Sequence, residues 1–176
     1  MPKQQEDEPK ILLDADVVIH FIKAGYQLKL IAIFPNRFVM LDKVKAELLK
    51  RKSESLGIEN FLSWCKIPVE AMPKDIEILR EYAHLKKLRG DGESACMAVA
   101  RFRNEYIASS NISDIKAYCT THSIKYYTTM DLLVAALENA IMTEEECNGF
   151  IKEVKAKGSK LPTNTIAEYK KLKKYS

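Results

Sequence analysis

Short apolar runs alternate along this chain with segments whose apolar residues recur at helical spacing. Lys10 to Leu13, Phe38 to Leu41, Tyr106 to Ser109 and Ile124 to Tyr127 read as strands. Lys66-Ile67-Pro68-Val69 reads as an edge strand, because Pro68 has no N–H to give to a ladder. Near-continuous apolar runs of this length suit strands buried on both faces. Strands that alternate with helices imply an α/β fold, a central parallel sheet of four to five strands flanked by helices.

The segments between the runs read as helices. Val17, Val18, Phe21 and Ile22 lie on one face of the first, and Gly25 ends it. A second apolar helix around Leu28 to Phe34 is broken by Pro35-Asn36. Asp42 is placed to cap the helix carrying Val44, Leu48 and Leu49. Ile58 to Trp64 reads as a short helix, and Pro73 as the opening of the next. Gly90-Asp91-Gly92 reads as a loop before an Ala-rich helix from Glu93 to Arg103, with Asp91 as its cap. Helices follow at Ile112 to Thr121, Met130 to Ala140 and Thr143 to Ala156, the last opening on a capping-box pattern. Residues 1–9 form a polar, acidic N-terminus expected to fray, 10–157 the main domain, and 158–176 a C-terminal helical extension. In that extension Ile166, Tyr169, Leu172 and Tyr175 mark one face, and Lys170, Lys171, Lys173 and Lys174 the other.

Four acids fall where such a fold gathers side chains. Asp14 closes the first strand, Glu47 lies in the helix after the second, Glu93 opens the Ala-rich helix, and Asp114 follows the strand after it. The carboxyl ends of parallel strands converge on one crevice where chain order reverses. Each acid also has a plain role: Asp14 as an N-cap, Glu47 as a partner of Lys43, Lys50 or Arg51, Glu93 and Asp114 as first-turn residues favoured by the helix dipole. Asp16 reads as exposed or as a supporting neighbour. Gathered together, the four carboxylates repel unless a cation sits among them, and an all-oxygen site suits Mg²⁺ or Mn²⁺. That chemistry points to phosphoryl transfer, with nucleic acid as substrate.

Composition sets the outer limits. The 176 residues, 47% hydrophobic and 30% charged, are enough for one domain with a core. A net charge of +4 admits an anionic partner without itself demanding one. No apolar stretch approaches the ~18 residues of a membrane span. Cys65, Cys96, Cys119 and Cys147 form no C-x-x-C pair and read as reduced thiols in a cytoplasmic protein.

The motifs resemble those of the PIN-domain ribonucleases. LLDADVVIHF is similar to the family's first strand, acid and helix; LDKVKAELLK to its second-helix Glu; GDGESACMAVA to a Gly-rich, Glu-bearing motif of one subgroup, toxin-like in character. YIASSNISDIKAYCTTHSIKYYTTMDLL looks like the family's last strand–helix–strand–helix unit, and the likeness runs from about Lys10 to Pro162. The resemblance implies a three-layer α/β/α fold with strand order 3-2-1-4-5. It implies a Mg²⁺- or Mn²⁺-dependent endoribonuclease, with Asp14, Glu47, Glu93 and Asp114 catalytic and Asp14, Glu93 and Asp114 on the metal. It also implies an RNA substrate, a small antitoxin protein as partner, a homodimer as one assembly, and no membrane. The chain departs from the subgroup at Ser110 and Asn111, where one or two Asp residues are usual. These two, with Lys86, Lys87 and Arg89, are the candidates for substrate contact or support.

Two other readings are open. Asp14-Ala15-Asp16-Val17-Val18 also resembles the nucleophile motif of haloacid dehalogenase-type phosphatases, with Asp14 as nucleophile and Asp16 as general acid. That family's late metal motif should follow a strand, whereas Gly90-Asp91-Gly92-Glu93 follows a segment that reads as helix. The third reading is a non-catalytic RNA- or protein-binding module of PIN-like fold.

Overall fold

The computed structural model describes residues 8–175. The expected frayed N-terminus lies, for residues 1–7, outside the described residues, as does Ser176. Five strands, β1 (Ile11–Leu13), β2 (Phe38–Leu41), β3 (Val69–Glu70), β4 (Tyr106–Ala108) and β5 (Tyr126–Tyr127), form a parallel sheet in the order β3-β2-β1-β4-β5. The register sets Leu12 opposite Val39 on one side and Ile107 on the other. Helices flank the sheet: α1 (Ala15–Ala24), α2 (Gln27–Ile33), α3 (Asp42–Leu49), α4 (Ser55–Cys65), α5 (Ile76–Leu85), α6 (Asp91–Arg103), α7 (Ile112–Thr121), α8 (Thr129–Glu138), α9 (Glu144–Ala156) and α10 (Ile166–Lys174). The fold is three-layer α/β/α with the expected strand order.

Local chemistry explains where the elements stop. Gly25 ends α1 with φ 76°, a left-handed conformation that glycine adopts without a Cβ penalty. Thr143 and Glu146 close the predicted capping box on α9, and Thr128 with Asp131 forms a second one on α8. Several expected boundaries shift. Pro68 accepts from the Met40 amide at 2.9 Å but has nothing to donate, and β3 begins only at Val69. The helix after Pro73 starts at Ile76, with Asp75 at its N-cap position. Asp42 is not a cap but the first residue of α3, and its carboxylate accepts from the Met72 amide at 3.2 Å. Gly90-Asp91-Gly92 is no loop, since α6 already includes Asp91 and Gly92, with Gly90 in the cap position. The Asp91 carboxylate turns to the Tyr82 hydroxyl and the Lys86 ammonium.

The core lies on both faces of the sheet. Ile11, Leu12 and Leu13 are fully buried, as parallel strands covered on both sides require. Ala95, Ala98 and Ala100 let α6 lie close to the sheet, and all three are buried. Phe21 and Phe150 meet edge to face at 4.8 Å, joining α1 to α9. Each such fully buried side chain contributes about 1.5–3 kcal/mol. Because all strands are parallel, Leu13, Leu41, Glu70, Ala108 and Tyr127 end on the same side. Chain order reverses between β1 and β4, the place where parallel sheets of this kind gather a crevice at their carboxyl ends.

Candidate active site

Asp14 stands directly after β1, at the reversal point. It is the N-cap of α1, as one plain reading of the sequence had it: Oδ1 accepts from the Ala15 amide at 2.8 Å. The other oxygen accepts from the Ser109 hydroxyl at 3.0 Å, at the end of neighbouring β4. Capping and membership of the crevice are therefore compatible. Asp16, two residues on, is half-buried rather than exposed. Its Oδ1 accepts from the Val17 amide at 2.7 Å, and its Oδ2 from the Ser110 amide at 3.0 Å. That second bond turns the carboxylate toward β4.

Glu47 and Glu93 come from the facing helices. Glu47 Oε2 accepts from the Gly92 amide at 3.1 Å, and so satisfies one of the free N–H groups opening α6. The two helices approach closely here. A Cβ on Gly92 would lie 2.7 Å from Glu47 Oε2 and 3.2 Å from the Val44 Cα, so glycine is required by the approach itself. Glu93 follows, only 7% exposed, and its Oε1 is buried without a hydrogen-bond partner. An oxygen in that state is costly unless something supplies charge or a donor.

Asp114 completes the group from the first turn of α7. Its Oδ2 accepts from the Asn111 side-chain amide at 2.6 Å, and Asn111 in turn accepts from the Ser113 hydroxyl at 3.0 Å. Arg89 donates to the Asp114 carbonyl at 3.3 Å, while its Nε is buried without a partner. Of the three basic residues singled out in sequence, Arg89 is thus brought against the acids. Lys86 pairs with Asp91 at 3.0 Å, and Lys87 is exposed.

Ser110 does not point at Asp14. Its Oγ lies 2.5 Å from Thr129 Oγ1, and Thr129 Oγ1 lies 2.8 Å from Nδ1 of buried His20. The Thr129 amide also donates to Ser110 Oγ at 3.0 Å. This buried chain joins α1, the end of β4 and the start of α8, and it fixes the turn whose amide holds Asp16. Burial pushes His20 down to about 4, so it stays neutral.

The carboxylates act on one another. Burial pushes Asp14 up to about 8, and the charge of Asp16 adds to this, with Glu93 contributing less. Burial pushes Glu93 up to about 7; Asp114, Asp16 and Glu47 add to the rise, and Arg89 opposes it. Asp16 is raised mainly by burial, and the Ser110 and Val17 amides pull it back. Asp14, Asp16, Glu47, Glu93 and Asp114 thus share one electrostatic environment short of positive charge. Among the described residues, no three His, Cys, Asp or Glu side chains form a ready-made metal-binding group. An ion such as Mg²⁺ keeps several waters and takes only one or two carboxylates, so a closed cage is not its requirement. An oxygen donor set, one of its oxygens buried and unpartnered, has the chemistry such an ion prefers.

Sequence reasoning brought Asp14, Glu47, Glu93 and Asp114 to this crevice. Of the two roles open to Asp16, exposed or supporting, its bonds fit the supporting one, and Ser109, Thr129 and His20, which brace the acids, were not singled out. The signal for Asp16 was its place two residues after a strand-end acid, in the first turn of the same helix. His20 and Thr129 carried no signal, because their pairing spans 109 positions. No model of a known protein family matches this chain, and no curated protein matches it.

Proposed function

We propose that this chain is a metal-dependent endoribonuclease of the PIN type, hydrolysing RNA phosphodiester bonds with Mg²⁺ or Mn²⁺. The observation that carries the reading is Glu93 Oε1, buried and unpartnered among five carboxylates at the carboxyl ends of β1 and β4. Asp14, Glu93 and Asp114 are the residues to hold the ion, with Asp16 beside them. When bound, the ion would neutralise these carboxylates and supply an activated water for attack on phosphorus. The chain's own residues do the positioning. Ser109 and the Ala15 amide orient Asp14, the Ser110 amide orients Asp16, and Asn111 orients Asp114. Arg89, beside the acids, is the candidate for a scissile phosphate contact. A cytoplasmic toxin restrained by a small antitoxin is the biological setting the family resemblance suggests.

The phosphatase reading has less behind it. Gly90-Asp91-Gly92 follows helix α5 rather than a strand, and Asp91 is engaged by Tyr82 and Lys86. Asp16, the general acid in that reading, already holds two backbone amides. The deciding experiment incubates the protein with single-stranded and structured RNA in Mn²⁺ or Mg²⁺, beside Asp14→Asn and an EDTA control. Cleavage by the wild type only, lost on chelation, is expected. No cleavage, together with no Mn²⁺ binding by calorimetry, overturns the proposal in favour of a binding module.

A further inference from the structure

The last helix, α10, packs against α8. α8 begins immediately after β5, and so starts on the same side of the sheet as the acids. α10 meets it through two ion pairs: Lys173 with Asp131 in the first turn of α8 at 2.7 Å, and Lys170 with Glu138 in its last turn at 3.8 Å. Tyr169 reinforces the contact, its hydroxyl donating to Asp131 at 2.9 Å. Lys173, near the C-terminal end of α10, is thereby held to the first turn of α8, which follows β5. A series of polar contacts connects the two, from Lys173 through Asp131 and the Thr128-Thr129 turn to Ser110 and Asp16.

The free face of this helix has the character of a nucleic-acid contact. Ile166 and Tyr169 are buried, and Lys170 and Lys173 face α8. Lys171 and Lys174 stand three positions apart on the helix and are neighbours on its surface, and Tyr175 follows at the C-cap. All three are exposed, Tyr175 by 91%. No ion pair among the described residues engages Lys171 or Lys174. The sequence groups Tyr175 with Ile166 on the apolar face; the structure places it in solvent at the C-cap. Interleaved cations and an open aromatic ring bind single strands, the cations on phosphates and the ring on a base. The crevice itself is acidic and repels a polyanion, so attraction has to come from its surroundings.

We infer that the C-terminal end of α10 is a docking rim for single-stranded RNA, with Lys171 and Lys174 contacting phosphates and Tyr175 stacking on a base. This rests on the ribonuclease reading for its biological sense, but it is tested by binding alone. A fluorescent single-stranded RNA would be titrated with wild type, with Lys171→Gln/Lys174→Gln and with Tyr175→Ala, by anisotropy in EDTA at stepped salt. Each lost phosphate contact lowers the slope of log affinity against log salt by about 0.7, so the double variant is expected to lose about 1.4. Tyr175→Ala is expected to weaken binding by about five-fold or more, with the salt slope kept. Circular dichroism checks that α10 remains folded. Wild-type affinity and slope in the variants overturn the rim, and if wild type still cleaves RNA in Mn²⁺ the nuclease reading survives that result. Failure of wild type to bind RNA at any salt overturns the rim as well, and absence of cleavage then removes the nuclease reading with it.

Discussion

Replacing Asp14 by asparagine should make the metal-free protein more stable, by an amount that grows with pH. In the unfolded chain Asp14 ionises near its ordinary value of 3.8, whereas in the folded chain burial and Asp16 push it up to about 8. Between those limits the folded state holds a proton that the unfolded state has lost. Stability from this group is therefore intact below pH ~4 and declines as pH rises toward 8, at about 1.4 kcal/mol per pH unit. Asparagine keeps the shape; its oxygen still accepts from the Ala15 amide and its NH2 can donate to the Ser109 oxygen in place of the bond Asp14 accepts there, but it does not titrate. The difference between variant and wild type should be flat below pH ~4 and climb by about 1.4 kcal/mol per pH unit through pH 5–7. By pH 7 it should reach at most about 4 kcal/mol, a large share of the 5–15 kcal/mol typical of a domain. Urea denaturation in EDTA at half-unit pH steps gives the curve, and the difference cancels opposing titrations such as that of His20. Mn²⁺ at about a hundred times its dissociation constant should restore about 2.7 kcal/mol to wild type and nothing to the variant. A flat difference curve, or a variant less stable than wild type at pH 7, refutes the reasoning.

Two further outcomes follow from the packing. Gly92→Ala should destabilise the fold by about 1–3 kcal/mol, because the new methyl meets the Val44 backbone as well as the Glu47 carboxylate; Gly90→Ala, with open space around it, should change stability by less than about 0.5 kcal/mol in the same urea titration. Burial alone would raise Asp131, but Lys173, the Thr128 amide and Tyr169 hold it below its usual range, so its stabilisation is present above about pH 4 and lost as pH falls through its depressed value. Asp131→Ala should therefore cost about 1–2 kcal/mol at pH 7, a cost that shrinks in acid, and should speed proteolysis of the α10 segment.

Periodicity exposed the fold because strands buried on both faces have few other ways to be written. Phe38 to Leu41 and Ile112 to Thr121 have the expected boundaries, since both are marked by the residues themselves. Boundaries moved where a side chain found a distant partner instead of a local one. Asp42 looked like a cap and instead holds the Met72 amide, 30 positions away. Glu47 looked like one member of a surface ion pair, and its true partner is the Gly92 amide, 45 positions on. The acids of the crevice were legible because parallel topology sends every strand end to one side. The supports of those acids were not, because which hydroxyl reaches Asp14, Ser109 or Ser110, depends on the one-residue phase of β4.

That phase bears on whether the departure at Ser110 and Asn111 empties the site. Where the resembled family usually places one or two acids after the fourth strand, this chain holds a hydroxyl and an amide. Negative charge arrives from either side. Asp16 reaches across from α1 to the Ser110 amide, and Asp114 reaches back from α7 to the Asn111 side chain. Ser110 spends its own hydroxyl on Thr129, which an aspartate there could not do without setting a further charge against Asp16. A neutral residue at 110 leaves that side of the crevice to the Asp16 carboxylate, which accepts from the Ser110 amide. Glu93 is buried with an oxygen unpartnered, and Asp16 and Asp114 bring charge to either side of Ser110 and Asn111. The proposed metal site therefore rests on the carboxylates at 16 and 114 rather than on an acid at 110 or 111.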